Sequence, residues 1–491
     1  MSTSFVLKGD LLQSISPGEL SVIEDGYLVC VEGLSAGAFS ELPERFAGLE
    51  LRDYTGALII PGLVDLHTHA PQYSYRGTGM DLELLDWLQN YTYPEEARYR
   101  DLNYAKPAYE AFVARLVAGA TTRVAVFSTV HVPATLLLMD LLEQSGLASF
   151  VGKVNMDRNA PDTLREPSAA AALQSTAEWL EQTAARGYRR TRPILTPRFI
   201  PACSDELMRG LGAMQQESSS FVSDTQESSP SSPSAAPPSA PPSVPASVPV
   251  QSHLSENLRE IEWVRELRPQ AASYAAAYCD DGLLGGPSCP TIMAHCVYLE
   301  PEEAALLKAR GVWIAHCAES NTNLASGIAP VRSYLTDGLR VGLGTDVAGG
   351  SGLSVFRAMM HSIQASKLRW RFVDERLAPL TAAEAFYLAT RGGGSFWGKV
   401  GGFEEGFEFD AVVLNERAPQ SAAPLNECAP QSAAPLAERA PHAARPLSPA
   451  EHSPHAARPL SPAERLERLI YADGDACVVE KYVAGGRVCA T

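Results

Sequence analysis

Four short apolar runs in this chain end on side chains that bind metals. His67-Thr68-His69 closes ALIIPGLVDLHTH, His253 closes VPVQSH with Glu256 three residues on, His295 closes TIMAH, and Asp346 lies in GLGTDVAGG. Alternate residues of a strand point the same way, so both imidazoles of His67 and His69 can face one point. Imidazole nitrogens with a carboxylate suit zinc or iron. His67, His69, His253 and Asp346 make a three-nitrogen, one-oxygen set with a position left for water. A lone histidine at a strand end is more often a packed, hydrogen-bonded residue. His131 and His316 have no partner at ligand spacing and are read that way. The combined set points instead to a metal site that activates water. The glycine-rich runs GTDVAGGSG and RGGGSF lack the spacing of a phosphate loop and are read as tight turns.

Such side chains need a scaffold that gathers strand ends. Between about residues 58 and 392, eight β-branched runs alternate with helical patterns, among them 168–186, 257–267 and 301–310. This alternation predicts a (β/α)8 TIM-like barrel, whose active sites sit at the C-terminal ends of the strands. A doubly wound sheet would usually carry a glycine-rich loop after its first strand, where this chain has His-Thr-His. Residues 1–57 and 398–491 flank the barrel (58–397) and contain strand-like YLVCVEGL, FDAVVL and ACVVEKYVAGGRV. They are expected to join into a small β-sandwich domain built from both chain ends. Two inserts interrupt the plan. Residues 218–250 are rich in Ser, Pro and Ala and are expected to be disordered. Residues 415–462 hold the tandem repeat NERAPQSAAPL, NECAPQSAAPL, AERAPHAARPL, too short and proline-rich for a solenoid. It reads as a solvated loop, with a partner-binding arm as the alternative.

Composition excludes several classes. A net charge of −17 is the wrong sign for a general nucleic-acid or anionic-membrane binder. No apolar run reaches the ~18 residues of a membrane span. The opening MSTSFVLKGDLL, cut by Lys8 and Asp10, does not read as a secretory signal. Nine cysteines without a CxxC pair argue against a disulfide framework and for a reducing compartment, most simply the cytosol.

Beyond the ligands, PGLVDLHTHAPQYSYRGTGMDLELLDWLQNYTYPEE (61–96), LTPRFIPACSDELM (195–208), QSHLSENLREIEWVRELRP (251–269), MAHCVYL (293–299) and GLGTDVAGG (342–350) resemble, in order, the amidohydrolase superfamily and in detail its guanine deaminases. The resemblance runs from about residue 55 to 415. It implies one metal, zinc with iron as the alternative, held by His67, His69, His253 and Asp346. It also implies a purine site lined by His69, Ala70, Pro71, Gln72, Arg198, Phe199, His253, Glu256 and Asp346, and a cytosolic homodimer acting on guanine and water. The loop after the seventh strand reads HCAESN where relatives usually read HCPNSN, which makes Ala318 and Glu319 unusual at the expected pocket rim.

Binuclear members carry a modified lysine at the end of the fourth strand. Here that position reads Pro197-Arg198-Phe199, which favours a single metal. The expected catalytic groups are Asp346 as the base for water, Glu256 as the acid for a ring nitrogen, and His295 as the stabiliser of charge on the attacking oxygen. Arg198 would offer two parallel donors to guanine O6 and N7, Phe199 would lie against the ring, and Gln72 would supply a donor and an acceptor. The HxE…PCxxC pattern of the other zinc deaminases is absent. Rival readings keep the metal but change the ring, to 8-oxoguanine, an adenosine-type substrate or a triazine. A further rival is an inactive scaffold that uses the repeat arm.

Overall fold

The computed structural model describes residues 4–223, 248–416, 459–472 and 474–488. Most of each insert (224–247 and 417–458), with His442, His452 and His455, lies outside the described residues. Eight parallel strands form the barrel: Leu63–His69, Thr121–Phe127, Ala148–Gly152 extended by Val154–Asn155, Thr191–Pro193 extended by Thr196–Pro197, Val250–Leu254, Thr291–His295, Trp313–His316 and Arg340–Leu343. They form two half-barrels joined at two seams. At one, Leu195 N donates to Pro249 O (2.8 Å) and Gln251 N to Leu195 O (2.9 Å); at the other, Asp346 N donates to His67 O (2.8 Å). The barrel interior is filled by Val64, Leu66, Phe150, Ile194, Ile292 and Trp313, closed below by Phe396.

The helices follow local signals. Ala169–Arg186 begins where the Ser168 side chain accepts from Ala171 N and stops at left-handed Gly187. Leu258–Leu267 opens on a reciprocal capping box between Asn257 and Glu260. The expected helix at 301–310 is Pro301–Arg310. The helix Asp205–Ser223 runs six residues into the span expected to be disordered from 218.

The chain ends form one seven-stranded sheet rather than two separate sheets facing each other. Its order is Gly486–Val488, Val478–Val483, Ala411–Leu414, Glu50–Pro61, Phe5–Ser16, Glu19–Val31, Leu34–Phe39. The expected boundary at residue 57 moves, because Glu50–Pro61 pairs with Phe5–Ser16 and Ala411–Leu414 over its last residues. Gly62 makes the break: a Cβ there would lie 2.1 Å from Thr122 Oγ1, so only glycine lets the chain pass into the barrel. The C-terminal part also holds a helix, Pro462–Tyr471, whose Arg465 binds Glu416 (2.8 Å) and Asp10 (2.7 Å).

Two buried cations fasten this sheet to the barrel. Arg123, on the second barrel strand, binds Asp410 through Nε (2.6 Å) and Glu408 through Nη2 (2.7 Å). Lys481 Nζ donates to the carbonyls of Leu116, Gly119 and Thr121 at 2.8–2.9 Å. Among the described residues, Cys203, Cys279, Cys289, Cys296 and Cys317 are thiols outside any disulfide, and no helix is long and apolar enough to cross a membrane.

Candidate active site

The C-terminal ends of the strands converge as expected, by local departures from regular strand geometry. Pairing of the first strand with the second slips between Asp65 and Thr68. A bulge of this kind re-aims side chains, and here Val64 and Leu66 join the interior while His67 and His69 face the mouth. His295 and Asp346 adopt left-handed backbone conformations, φ 70° and 46°. Such conformations cost on the order of 1–3 kcal/mol each and persist where surrounding contacts hold them. Gly344 permits the approach of the eighth strand to the first, since a Cβ there would meet Cys317 Sγ at 2.8 Å and His67 Cβ at 2.9 Å. The glycine-rich run beyond it is a tight turn, as expected, with Gly350 N donating to Asp346 O (2.7 Å).

Buried Asp65 holds these ends together. It accepts from Thr345 N (3.0 Å), Thr345 Oγ1 (2.5 Å) and His67 N (3.1 Å). Burial pushes its pKa up to about 7, against the pull of those three donors.

The four imidazoles and Asp346 form one cluster. His69 Nε2 lies 3.2 Å from His253 Nε2. Asp346 Oδ1 is 3.2 Å from His67 Nε2 and 3.4 Å from His69 Nε2, and its Oδ2 is 3.7 Å from His295 Nε2. His253 donates through Nδ1 to Arg198 O (2.6 Å), which leaves the lone pair of its neutral ring on Nε2, toward the cluster. Burial lowers the pKa of His67, and of His69 and His253 more strongly, so these rings stay neutral. Burial alone would raise the Asp346 pKa, but His67, His295 and His69 bring it well below the ordinary carboxylate range.

The donor set suits a divalent cation. His67 Nε2 is buried with no hydrogen-bond partner, and the ligand atoms of His67, His69 and His253 lie within 4.8 Å of one another. A second donor group joins His67 and Asp346 to His295 and Cys317. Burial keeps the Cys317 pKa well above its ordinary value, so it is a thiol that donates to Ala315 O (3.4 Å), not a thiolate ligand. His295 donates through Nδ1 to Asn321 Oδ1 (2.8 Å) and turns Nε2 to Glu256 Oε2 (3.3 Å). Burial opposes charge on His295, yet Glu256 and Asp346 raise its pKa. Glu256 is fully buried and pushed up to about 7 by that burial. Its Oε1 accepts from Ser326 (3.0 Å), while Glu260 accepts from Glu256 N (2.9 Å) and fixes the loop.

A cavity opens on this cluster, with an apolar wall and a few convergent polar groups, the make-up of a small-molecule site. Of the expected residues, His69, Gln72, Arg198, Phe199, His253, Glu256, His295 and Asp346 line it. Ala70 and Pro71 do not; they are packed in the turn Ala70–Tyr75 that carries Gln72 to the cavity. Leu254 and Ser255, between His253 and Glu256 in sequence, are also buried away from it. Glu319 is not at the rim. It accepts from Ser351 (2.5 Å) and Arg357 (2.9 Å) and ties the helix Ala318–Asn323 to Val355–Phe372.

The apolar wall of Leu84, Trp87, Leu88 and Leu324 was not anticipated. The first three recur at i, i+3 and i+4 in DLELLDWLQN, a helical face that the sequence displays without showing what it covers. Glu96 was also missed. It is buried and accepts from both arms of Arg198, Nη1 (2.6 Å) and Nη2 (3.1 Å). The free two-donor fork expected of Arg198 is thus committed to Glu96, and three of its five N–H groups remain.

The Amidohydrolase family model matches residues 58–223 and 244–441. The chain belongs to the amidohydrolase family. The guanine deaminase of Dictyostelium discoideum is 37% identical over 366 residues, 74% of each chain. The guanine deaminase of Homo sapiens is 35% identical over 407 residues, 82% of each chain. A crystal structure of guanine deaminase from C. acetobutylicum with guanine bound in the active site matches with a TM-score of 0.82 at 37% identity, covering 99% of this chain and 100% of that one. Among these amidohydrolases the chain groups with the guanine deaminases.

Proposed function

We propose that the chain is a zinc-dependent guanine deaminase that converts guanine and water to xanthine and ammonia. The supporting observation is the placement of Gln72 and Arg198 in the same cavity as the His67–His69–His253–Asp346 cluster. These four residues would hold the ion. When bound, a divalent ion at such a site lowers the pKa of water from about 15.7 to roughly 7.

The chain's own residues do the rest. Asp346, ionised by its histidine neighbours, accepts the proton of the attacking water. Glu256, with a pKa near 7, protonates the ring nitrogen beside the attacked carbon and then passes protons to the departing amine. His295, held by Asn321, donates to the developing oxygen charge. Phe199, Leu84, Trp87 and Leu88 cover the flat ring and exclude water. The remaining N–H groups of Arg198 and the amide of Gln72 meet the edge carrying O6 and the neighbouring ring N–H. Adenine would present an amino donor to Arg198 there, at a cost of roughly 1–3 kcal/mol for each donor left unpaired.

A cytosolic homodimer is part of the same proposal; the thiols of Cys203, Cys279, Cys289, Cys296 and Cys317 support a reducing compartment. Ammonia release on a panel of guanine, adenine and cytosine, with metal analysis of the same sample, tests the reading. Turnover of guanine alone, with about one zinc per chain, is expected. Equal turnover of adenine refutes it, as does an Arg198→Ala variant with unchanged guanine kinetics.

A further inference from the structure

Gln72 and Arg198 reach the cavity from distant parts of the sequence, one in the turn after the first strand and the other at the end of the fourth. They meet on a single carboxylate. Glu96, on the short helix Tyr93–Ala97, accepts from Gln72 Nε2 at 2.9 Å and Arg198 Nη2 at 3.1 Å through Oε1, and from Arg198 Nη1 at 2.6 Å through Oε2. Glu96 is 1% exposed and does not line the cavity.

We propose that Glu96 is a positioning residue for substrate recognition: it fixes the order of donors and acceptors that Gln72 and Arg198 present, and so selects an oxopurine edge, C=O beside N–H. The proposal rests on the guanine deaminase reading and assigns specificity within that site.

A glutamine amide can present its two ends in either order, and its neighbours decide which. Both Glu96 oxygens accept from Arg198, and Gln72 meets Oε1 with its donor end, Nε2. Ala348 N only donates, and it meets Gln72 Oε1 at 3.1 Å. The amide is pinned at both ends, with one N–H and one lone pair remaining. Arg198 is pinned in the same way. Two N–H groups on Glu96 stop the guanidinium from rotating, and the Tyr93 ring lies 5.2 Å from its centre. The carboxylate also compensates a fully buried cation, which would otherwise be strongly unfavourable. One acidic side chain therefore sets two reading groups. In Glu96→Gln, an NH₂ replaces one accepting oxygen and faces donors of Arg198 or Gln72. The Gln72 amide then loses its preferred order and Arg198 loses one arm.

The test is binding of two unreactive ligands to the zinc-loaded enzyme by calorimetry. Hypoxanthine carries the C=O and N–H edge but no amine to lose, and unsubstituted purine lacks that edge. Glu96→Gln should weaken hypoxanthine by about tenfold or more and purine by less than about threefold. The same variant should raise KM for guanine more than it lowers kcat. Equal weakening of both ligands, or of neither, overturns the proposal, because a general disturbance of the pocket moves both together. If Glu96→Gln does not fold, Glu96→Asp carries the same measurement, since it keeps the charge but withdraws it from one of the two partners. Failure of the parent to release ammonia from guanine overturns the function instead; the ratio of the two ligands still reports on Glu96.

Discussion

Arg123 and Arg198 are both buried guanidinium groups, at opposite ends of the barrel. Arg123 meets two carboxylates: Asp410 receives Nε and Nη2 at 2.6 and 3.1 Å, and Glu408 receives Nη2 at 2.7 Å. Both acids come from the segment that leads into Ala411–Leu414, so the ion cluster joins barrel to sheet. Arg198 meets one carboxylate, shares it with Gln72, and borders a cavity. The surroundings decide what each does. Where two carboxylates from the sheet match the charge, the pair holds structure together. Where one acid leaves donors unspent beside a cavity, the same chemistry can read a ligand.

The sharpest separation of the two ends should come from the cluster beside Arg198. His67→Ala or Asp346→Ala should lower kcat by roughly 10⁴-fold or more and remove the bound metal, while urea unfolding stays close to the parent. Retained metal with full activity would place the ligands elsewhere. The opposite end should show the inverse pattern. Arg123→Met leaves the buried Asp410 and the half-buried Glu408 without their partner, and should cost about 3–5 kcal/mol of stability. kcat/KM of the folded fraction should not change; a large loss there would mean that the two ends are coupled.

Within the cavity, Glu256→Gln should keep fold and metal and lower kcat by about 10²-fold. The pH profile adds the sign. Burial raises the Glu256 pKa to about 7, and the acid role needs the protonated form. Parent kcat/KM should therefore be full below that value and fall as pH rises through it. The descending limb should be missing in the variant. The smallest effect is expected from the repeat insert. Removal of 417–458, keeping Glu416 and the Ser461 cap of Pro462–Tyr471, should change kcat/KM by less than about twofold, because loop length adds little free energy.

The candidate metal cluster was legible because a side chain able to bind metal at a strand end is marked twice, by its type and by the apolar run before it. His67, His69, His253 and Asp346 all carry that double mark. Glu96 does not. In TYPEEARYR it looks like an acidic first turn of a solvated helix, and only the fold brings Arg198 onto it. Neighbours of a candidate ligand in sequence need not share its side: the 3₁₀ turn Ala70–Tyr75 brings Gln72 to the cavity and packs Ala70 and Pro71 behind it. The passage from sheet to barrel was obscured because ALIIPGLVDLH is almost continuously apolar. Two strands share it, and the break at Pro61–Gly62 is set by close approach to Thr122. Glu319 drew attention as an unusual residue in its loop, but its partners Ser351 and Arg357 lie on a later segment.

The seven-stranded sheet has a consequence for the chain as it leaves the ribosome. Glu50–Pro61 pairs on one side with Phe5–Ser16, which is made first, and on the other with Ala411–Leu414. About 350 residues separate Pro61 from Ala411, and at ~5–20 residues per second their synthesis takes roughly 20–70 s. Through that interval Leu58, Ile59 and Ile60 present an unpaired apolar edge, while Arg123 waits for Asp410. Such edges recruit strands from other chains. The nascent protein thus spends most of its synthesis with an open seam, one that a ribosome-associated chaperone would be well placed to shield.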